Sequence, residues 1–318
     1  MFRKAERRQA KLRLALCGPS GAGKTYSALL IAQGLVPGGK IALIDTERGS
    51  GELYADLTPY DVAPLEPPYA PSRYIALIQQ AAQDGYDVLV IDSLSHAWSG
   101  AGGILDLHDQ ATAADRARNS FMAWREVTPQ HHQLVDTILG VNLHVLVTLR
   151  TKTAYEIVEN DKGKKEPIKI GLAPVQREGL EYEFTTVMDL SVDRHVATAT
   201  KDRTRLFEGT HFVPSVATGE ALRAWLNTGI DPVEDSQQRL RTLKRAASQI
   251  KTVPQLSQWW RQQSAHIARL IPADRDILTA HCSDRKLALL ERETVSAPKK
   301  GLAIQGETET PARDAVSH

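Results

Sequence analysis

The stretch Gly18-Pro19-Ser20-Gly21-Ala22-Gly23-Lys24-Thr25 fits G-x-x-x-x-G-K-[ST] at every fixed position, and it constrains the chain more than any other feature. Before it runs Leu12-Arg13-Leu14-Ala15-Leu16-Cys17, apolar and short enough for a buried strand. After it Ser27-Ala28-Leu29-Leu30-Ile31-Ala32-Gln33 reads as a helix ended by Gly34. Strand, glycine-rich turn and helix in that order make a phosphate-binding loop. Its glycines let successive backbone N–H groups turn inward, and the helix start adds the positive end of its dipole. Lys24 then reaches the β- and γ-phosphates, and the Thr25 hydroxyl holds Mg²⁺. Gly18 through Thr25, with Tyr26 next in the chain, are the candidate contacts for ATP.

The 318 residues have room for one domain of roughly 200 to 250 residues and a small appendage. With 42% hydrophobic and 24% charged residues the composition is that of an ordinary globular protein, and a net charge of +1 excludes a uniformly basic nucleic-acid coat. Any nucleic-acid contact must be local. Two cysteines, Cys17 and Cys282, give neither a disulfide framework nor a zinc pattern, which fits a reducing compartment. No stretch approaches the roughly 18 apolar residues of a membrane span. The basic start Arg3-Lys4-Ala5-Glu6-Arg7-Arg8 runs into an apolar segment too short for a signal peptide. The expectation is a cytoplasmic protein without a membrane partner.

Downstream, Lys40-Ile41-Ala42-Leu43-Ile44-Asp45-Thr46-Glu47 reads as a second apolar strand ending in two carboxylates, and such strand ends are where α/β active sites lie. An edge strand is expected at Tyr60–Leu65 and a helix from Pro71. Tyr86-Asp87-Val88-Leu89-Val90-Ile91-Asp92-Ser93 has the Walker B pattern, its Asp92 carboxylate reaching Mg²⁺ through water. Two strand candidates between the motifs suggest that a strand is inserted between the P-loop strand and the Walker B strand. A long helical region follows from Ile104 to Leu139, then a strand over Asn142–Arg150 and a polar, turn-forming hairpin over Thr151–Gln176. Strands at Thr186–Val192 and His195–Thr200 run into Lys201-Asp202-Arg203, and a helix over Gly219–Leu226 closes the domain.

These readings divide the chain into a basic arm (1–11), an ATPase domain (12–228), a linker (229–235), a helical appendage (236–295) and a disordered tail (296–318). The appendage consists of three helices separated by Pro254 and Pro272, with Leu240, Leu243, Trp260, Ile277 and Leu287 among its expected core positions. The fold class is α/β: a P-loop NTPase with a mainly parallel central sheet and a small C-terminal helical bundle.

Hydrolysis needs a carboxylate that orients a water in line with the γ-phosphate. Ser93 follows the Walker B aspartate where many ATPases have glutamate, so the base must come from a neighbouring strand end, and Glu47 is the best candidate. The P-loop, Asp45-Thr46-Glu47, Ile91-Asp92-Ser93 and Lys201-Asp202-Arg203 together resemble the RecA-like core shared by recombinases and replicative ring helicases. The resemblance implies that Glu47 activates water and that Lys201 and Arg203 reach the γ-phosphate of the neighbouring subunit, with ATP between the subunits of a homo-oligomeric ring or filament. In its length and in Ile44-Asp45-Thr46-Glu47-Arg48-Gly49-Ser50 the chain is most similar to phage-encoded RecA-like ATPases that act with single-strand binding protein in annealing and recombination. The likeness covers roughly residues 12–226. In one departure, recombinases end the strand after Walker B with an amide pair that senses the γ-phosphate, whereas this chain has Thr148-Leu149-Arg150. Thr148 and Arg150 become the candidates for that task.

The same resemblance implies that residues 94–103 and 151–176 face single-stranded DNA. The second stretch offers Lys152, Lys162, Lys164, Lys165 and Lys169 for phosphates and Tyr155 for stacking on a base. Glu156, Glu159, Asp161 and Glu166 interleave with them, so a solvated hairpin is the competing reading. The basic N-terminus is a second possible backbone contact. The function expected first is a single-stranded-DNA-dependent ATPase of recombination, annealing or repair. The alternatives are a P-loop phosphotransferase acting on a small molecule, and a nucleotide-gated interaction protein that recruits its partner through the bundle.

Overall fold

A computed structural model describes residues 6–115, 119–159 and 165–296, in backbone only over 154–159, 165–170 and 293–296. The apolar runs become strands β1 (Arg13–Gly18), β2 (Ile41–Asp45), β3 (Asp61–Pro64), β4 (Val88–Asp92), β5 (His144–Glu159), β6 (Lys165–Pro174), β7 (Thr186–Leu190), β8 (Ala197–Asp202) and β9 (His211–Phe212). They form one sheet in the order β3-β2-β4-β5-β1-β7-β8-β9, with β6 paired to β5 alone. The six strands from β3 to β7 are mutually parallel, and β8, β9 and β6 add antiparallel pairs. The expected α/β fold with a mainly parallel sheet is the fold observed. β1, β2 and β4 are buried along their whole length, which is why they read as continuous apolar runs rather than alternating ones. β3 lies at the sheet edge, where its Pro64 is tolerated.

A strand does separate the P-loop strand from the Walker B strand, but it is β5, which follows both in sequence. β5 is also longer than the apolar run at its start. Through Arg150 it pairs with β1, and from Thr151 it pairs with β6 as one arm of an antiparallel hairpin. Strand and hairpin are therefore one continuous element.

Helices α1 (Lys24–Leu35) and α6 (Val216–Leu226) pack together, as do α2 (Pro71–Gln83) and α5 (Ser120–Gly140). The expected single helical region over Ile104–Leu139 resolves into two helices, α4 (Ile104–Ala114) and α5, and a further short helix, α3 (Ser95–Ser99), precedes it. Gly34 does not end α1. It is buried inside the helix, which runs on to Leu35, because α6 approaches so closely there that only glycine fits. One apolar cluster around Tyr74, Ile78, Leu134 and Phe184 and another around Leu14, Ile31, Leu43 and Leu222 make up the domain core. Arg13 is buried too, donating to the carbonyls of Leu139, Val141 and Leu143 and so capping the end of α5, and burial holds its guanidinium down to about 10.

The chain divides into two compact units at Ile230 and Asp231. Part of the basic arm belongs to the first unit: Arg7 stacks on Trp225 at 3.9 Å, and Arg7 and Gln9 exchange backbone hydrogen bonds with Ile230. In the second unit α7 (Pro232–Gln249), α8 (Val253–Gln262), α9 (Ser264–Ile267) and α10 (Pro272–Ser296) surround Leu240, Leu243, Leu256, Leu270, Leu278 and Leu289. Pro254 and Pro272 sit at helix starts, and Trp259 and Trp260 pack against the cluster. Ile277 and Leu287, core positions by their spacing in the sequence, are exposed instead, since Leu278 and Leu289 occupy the inward positions of α10. The expected tail lies outside the described residues from 297 onward. Among the described residues, no helix is long and apolar enough to cross a membrane.

Candidate active site

The carboxyl ends of β2, β4 and β1 line up in register with the middle of β5, with Asp45 opposite Asp92 and Gly18 opposite Arg150. Every catalytic candidate from the sequence except Lys201 and Arg203 stands along this edge or at the start of the following helix. The P-loop leaves β1 at Gly18 and turns through Gly21 and Gly23, both with φ of +79°. Gly23 precedes α1 in a left-handed conformation, and no side chain caps the helix. The N–H groups of the first turn thus keep their donors for an anion. Ala22 is buried beneath the loop, Pro19 is half-buried and Ser20 is exposed. Lys24 Nζ folds over the loop to donate to the carbonyls of Gly18 (2.9 Å) and Pro19 (2.8 Å). Burial pulls the Lys24 ammonium below its ordinary range, opposed by the charges of Asp92 and Glu47. Tyr26, exposed, meets Tyr54 edge to face at 5.8 Å.

Asp92 is held from both sides. Thr25 donates to one carboxylate oxygen at 2.5 Å and Thr148 to the other. Burial raises the Asp92 carboxyl above the usual range, and these two hydroxyls oppose the rise. A threonine hydroxyl and a carboxylate oxygen at the foot of a phosphate-binding loop form an all-oxygen donor set that suits Mg²⁺. Thr148, fully buried and committed to Asp92, supports the aspartate rather than facing outward.

Glu47 stands just beyond β2 on a turn organised by Asp45, whose two oxygens accept from the N–H groups of Glu47 (2.6 Å) and Gly51 (3.2 Å). Its carboxylate is gripped by Arg150. Nε donates to Oε1 at 3.0 Å and Nη2 donates to Oε2. Burial by itself would raise the Glu47 carboxyl, but the hydrogen bond and charge of Arg150 outweigh it and leave the group below the ordinary range. The Arg150 N–H in turn donates to Ser95 Oγ at 2.9 Å. Thr46, beside Glu47, accepts from the Ser93 N–H (2.8 Å) and meets His96 Nδ1 at 2.7 Å, and His96 stacks on Tyr69 at 4.7 Å. The grip of Arg150 on Glu47 and the Thr46–His96 contact join distant segments, and no local spacing signals them.

A family model described as an AAA domain matches residues 10–215. The chain belongs to that family. The AAA domain spans β1 through β9, from the strand before the P-loop to the turn before α6, and identifies a nucleotide-hydrolysing P-loop domain of a class that binds nucleotide, usually with Mg²⁺. No curated protein matches the chain. The domain brings together Lys24, Thr25, Glu47, Asp92, Thr148 and Arg150, and leaves other candidates elsewhere. Lys201 Nζ donates to the carbonyls of Glu181 (2.9 Å) and Tyr182 (2.5 Å), and Arg203 donates to Tyr182 at 3.0 Å, so both pin the turn before β7. Lys152 is exposed near the hairpin base, whereas Tyr155, Lys165 and Lys169 are placed by backbone only, and Lys162 and Lys164 lie outside the described residues. Of residues 94–103, Leu94, Ser95 and Ala97 are buried, which leaves that stretch less surface than a free loop would have.

Proposed function

We propose that the protein is an ATP-hydrolysing, single-stranded-DNA-dependent, RecA-like ATPase of DNA recombination, annealing or repair, working in the cytoplasm as a homo-oligomeric ring or filament and alongside single-strand binding protein. In this reading the P-loop N–H groups and Lys24 hold the β- and γ-phosphates, and Thr25 and Asp92 hold Mg²⁺. Mg²⁺ held by these two residues would neutralise phosphate charge. Glu47 orients the attacking water and accepts its proton. Lys201 and Arg203 serve the next subunit's nucleotide, and Lys152 with the hairpin lysines holds the DNA backbone.

One observation carries the DNA dependence. Arg150, the residue that grips Glu47, is the last residue of β5 paired with the P-loop strand and immediately precedes the hairpin. Its own carbonyl accepts from Val175 N–H, just past β6, at 2.7 Å. A ligand that moves the hairpin pulls on the residue that occupies the base, so nucleic acid on the hairpin frees Glu47. The test is ATPase turnover with and without single-stranded DNA, with Glu47→Gln as control. Stimulation by DNA, and a Glu47→Gln protein that binds ATP without turning it over, is the expected result. Turnover indifferent to DNA but dependent on a small-molecule acceptor would overturn the reading.

A further inference from the structure

The turn joining β7 to β8 lies against the P-loop. β7 runs parallel beside β1, and a Cβ placed on Gly18 would stand 2.8 Å from the Leu190 carbonyl oxygen. Beyond Leu190 the chain reverses, closed by a 2.9 Å bond from Ser191 N–H to the Val196 carbonyl. Arg194 and His195 both take left-handed backbone there, with φ of 56° and 54°, and both side chains are exposed. Such conformations in non-glycine residues concentrate at functional sites. The His195 ring rests on the last glycine of the loop: Nδ1 and Cγ lie 3.2 Å and 3.5 Å from the place a Cβ on Gly23 would take. Among the described residues this exposed imidazole has no hydrogen-bond partner, and it sits next to the N–H groups that begin α1.

Sheet order decides which part of a nucleotide meets it. Glu47 follows β2, Asp92 ends β4 and Arg150 is the last residue of β5 paired with β1, all on one side of β1, and β7 is on the other side. With the β-phosphate in the loop, the γ-phosphate must face Glu47 and Asp92. The α-phosphate and nucleoside therefore leave toward β7 and the turn that carries His195. We infer that His195 is a nucleotide-binding residue of this site, its imidazole N–H donating to the α-phosphate. The inference rests on the nucleotide reading of the P-loop and adds a contact outside the motif.

The experiment is equilibrium binding of MgATP and of magnesium pyrophosphate, the latter filling the β/γ cradle without an α-phosphate or nucleoside. His195→Ala should weaken MgATP binding about tenfold, the worth of one hydrogen bond to a charged group. It should leave pyrophosphate binding unchanged. His195→Asn keeps an N–H donor close to the Nδ1 position and accepts left-handed backbone, so it should regain most of the affinity. Unchanged ATP affinity in His195→Ala would overturn the inference. So would an equal loss for both ligands, or no rescue by His195→Asn in protein that melts like wild type, because the ring would then act on the loop's shape alone. Lys24→Ala separates this from the parent reading: it should weaken both ligands, and wild-type binding in that variant would overturn the nucleotide assignment itself.

Discussion

Glu47 and Arg150 meet across 103 positions of sequence, and the strength of their contact decides whether it regulates or merely decorates the site. The Arg150 side chain is 47% exposed and that of Glu47 25%, so solvent screens the pair. An ion pair this exposed is worth about 1 kcal/mol or less. That is enough to hold Glu47 most of the time and little enough for a modest ligand contact to release it. Arg150→Ala should therefore raise turnover without DNA about fivefold, the kinetic equivalent of about 1 kcal/mol, and shrink the stimulation by DNA. Steady-state ATPase assays with and without single-stranded DNA check this. A loss of activity on the order of a hundredfold would instead make Arg150 a group the γ-phosphate needs. The P-loop was legible in the sequence because its residues act within one turn of chain, where spacing encodes geometry. Arg150 could be singled out as an unusual end to its strand, but not as the partner of Glu47, because no local period links two strand ends that the sheet brings together.

Gly34 and Gly219 show the same division at the level of elements. In sequence a glycine after an apolar helical run is a stop signal, and Gly34 reads as one. In the fold it faces α6, where a Cβ would stand 1.9 Å from the Val216 carbonyl oxygen, while a Cβ on Gly219 would meet the Ile31 carbonyl oxygen at 2.1 Å. The two helices touch backbone to backbone, and backbone cannot rotate away as a side chain can. Gly34→Ala must push α1, the P-loop helix, off α6, at a cost of about 3 kcal/mol. The midpoint of thermal unfolding should fall by about 10 °C. Gly140, with open space around it at the end of α5, is the control: Gly140→Ala should leave the midpoint within about 2 °C of wild type or raise it. Equal midpoints for the two variants would mean that α1 and α6 separate without loss. The strands were easier to locate than this crossing. Burial on both faces leaves continuous apolar runs, whereas a close helix contact leaves only a glycine, and a helix end or a tight turn leaves the same residue.

At the scale of the whole molecule, the alternation of apolar strands and helices was enough to specify a mainly parallel sheet, while strand order was not, since β5 enters between β1 and β4 from later in the chain. Lys201 and Arg203 are tied to the Glu181 and Tyr182 carbonyls, and β8, which carries Lys201, lies on the far side of β7 from β5 and the Walker B strand. If they serve ATP, they serve a neighbour's, and this yields a quantitative expectation. Lys24→Ala and Arg203→Ala subunits should each be inactive alone. In a head-to-tail ring or filament every interface joins the P-loop of one subunit to the Arg203 of the next. Random mixing of equal amounts pairs an intact loop with an intact arginine at one interface in four, so activity should return to about a quarter of the wild-type rate. A titration of one variant into the other, with turnover followed as the ratio changes, should peak at equal amounts. Turnover that stays flat across the whole range, in particles shown to contain both subunits, would place Lys201 and Arg203 among the residues that hold the turn before β7 and leave the P-loop complete within one chain.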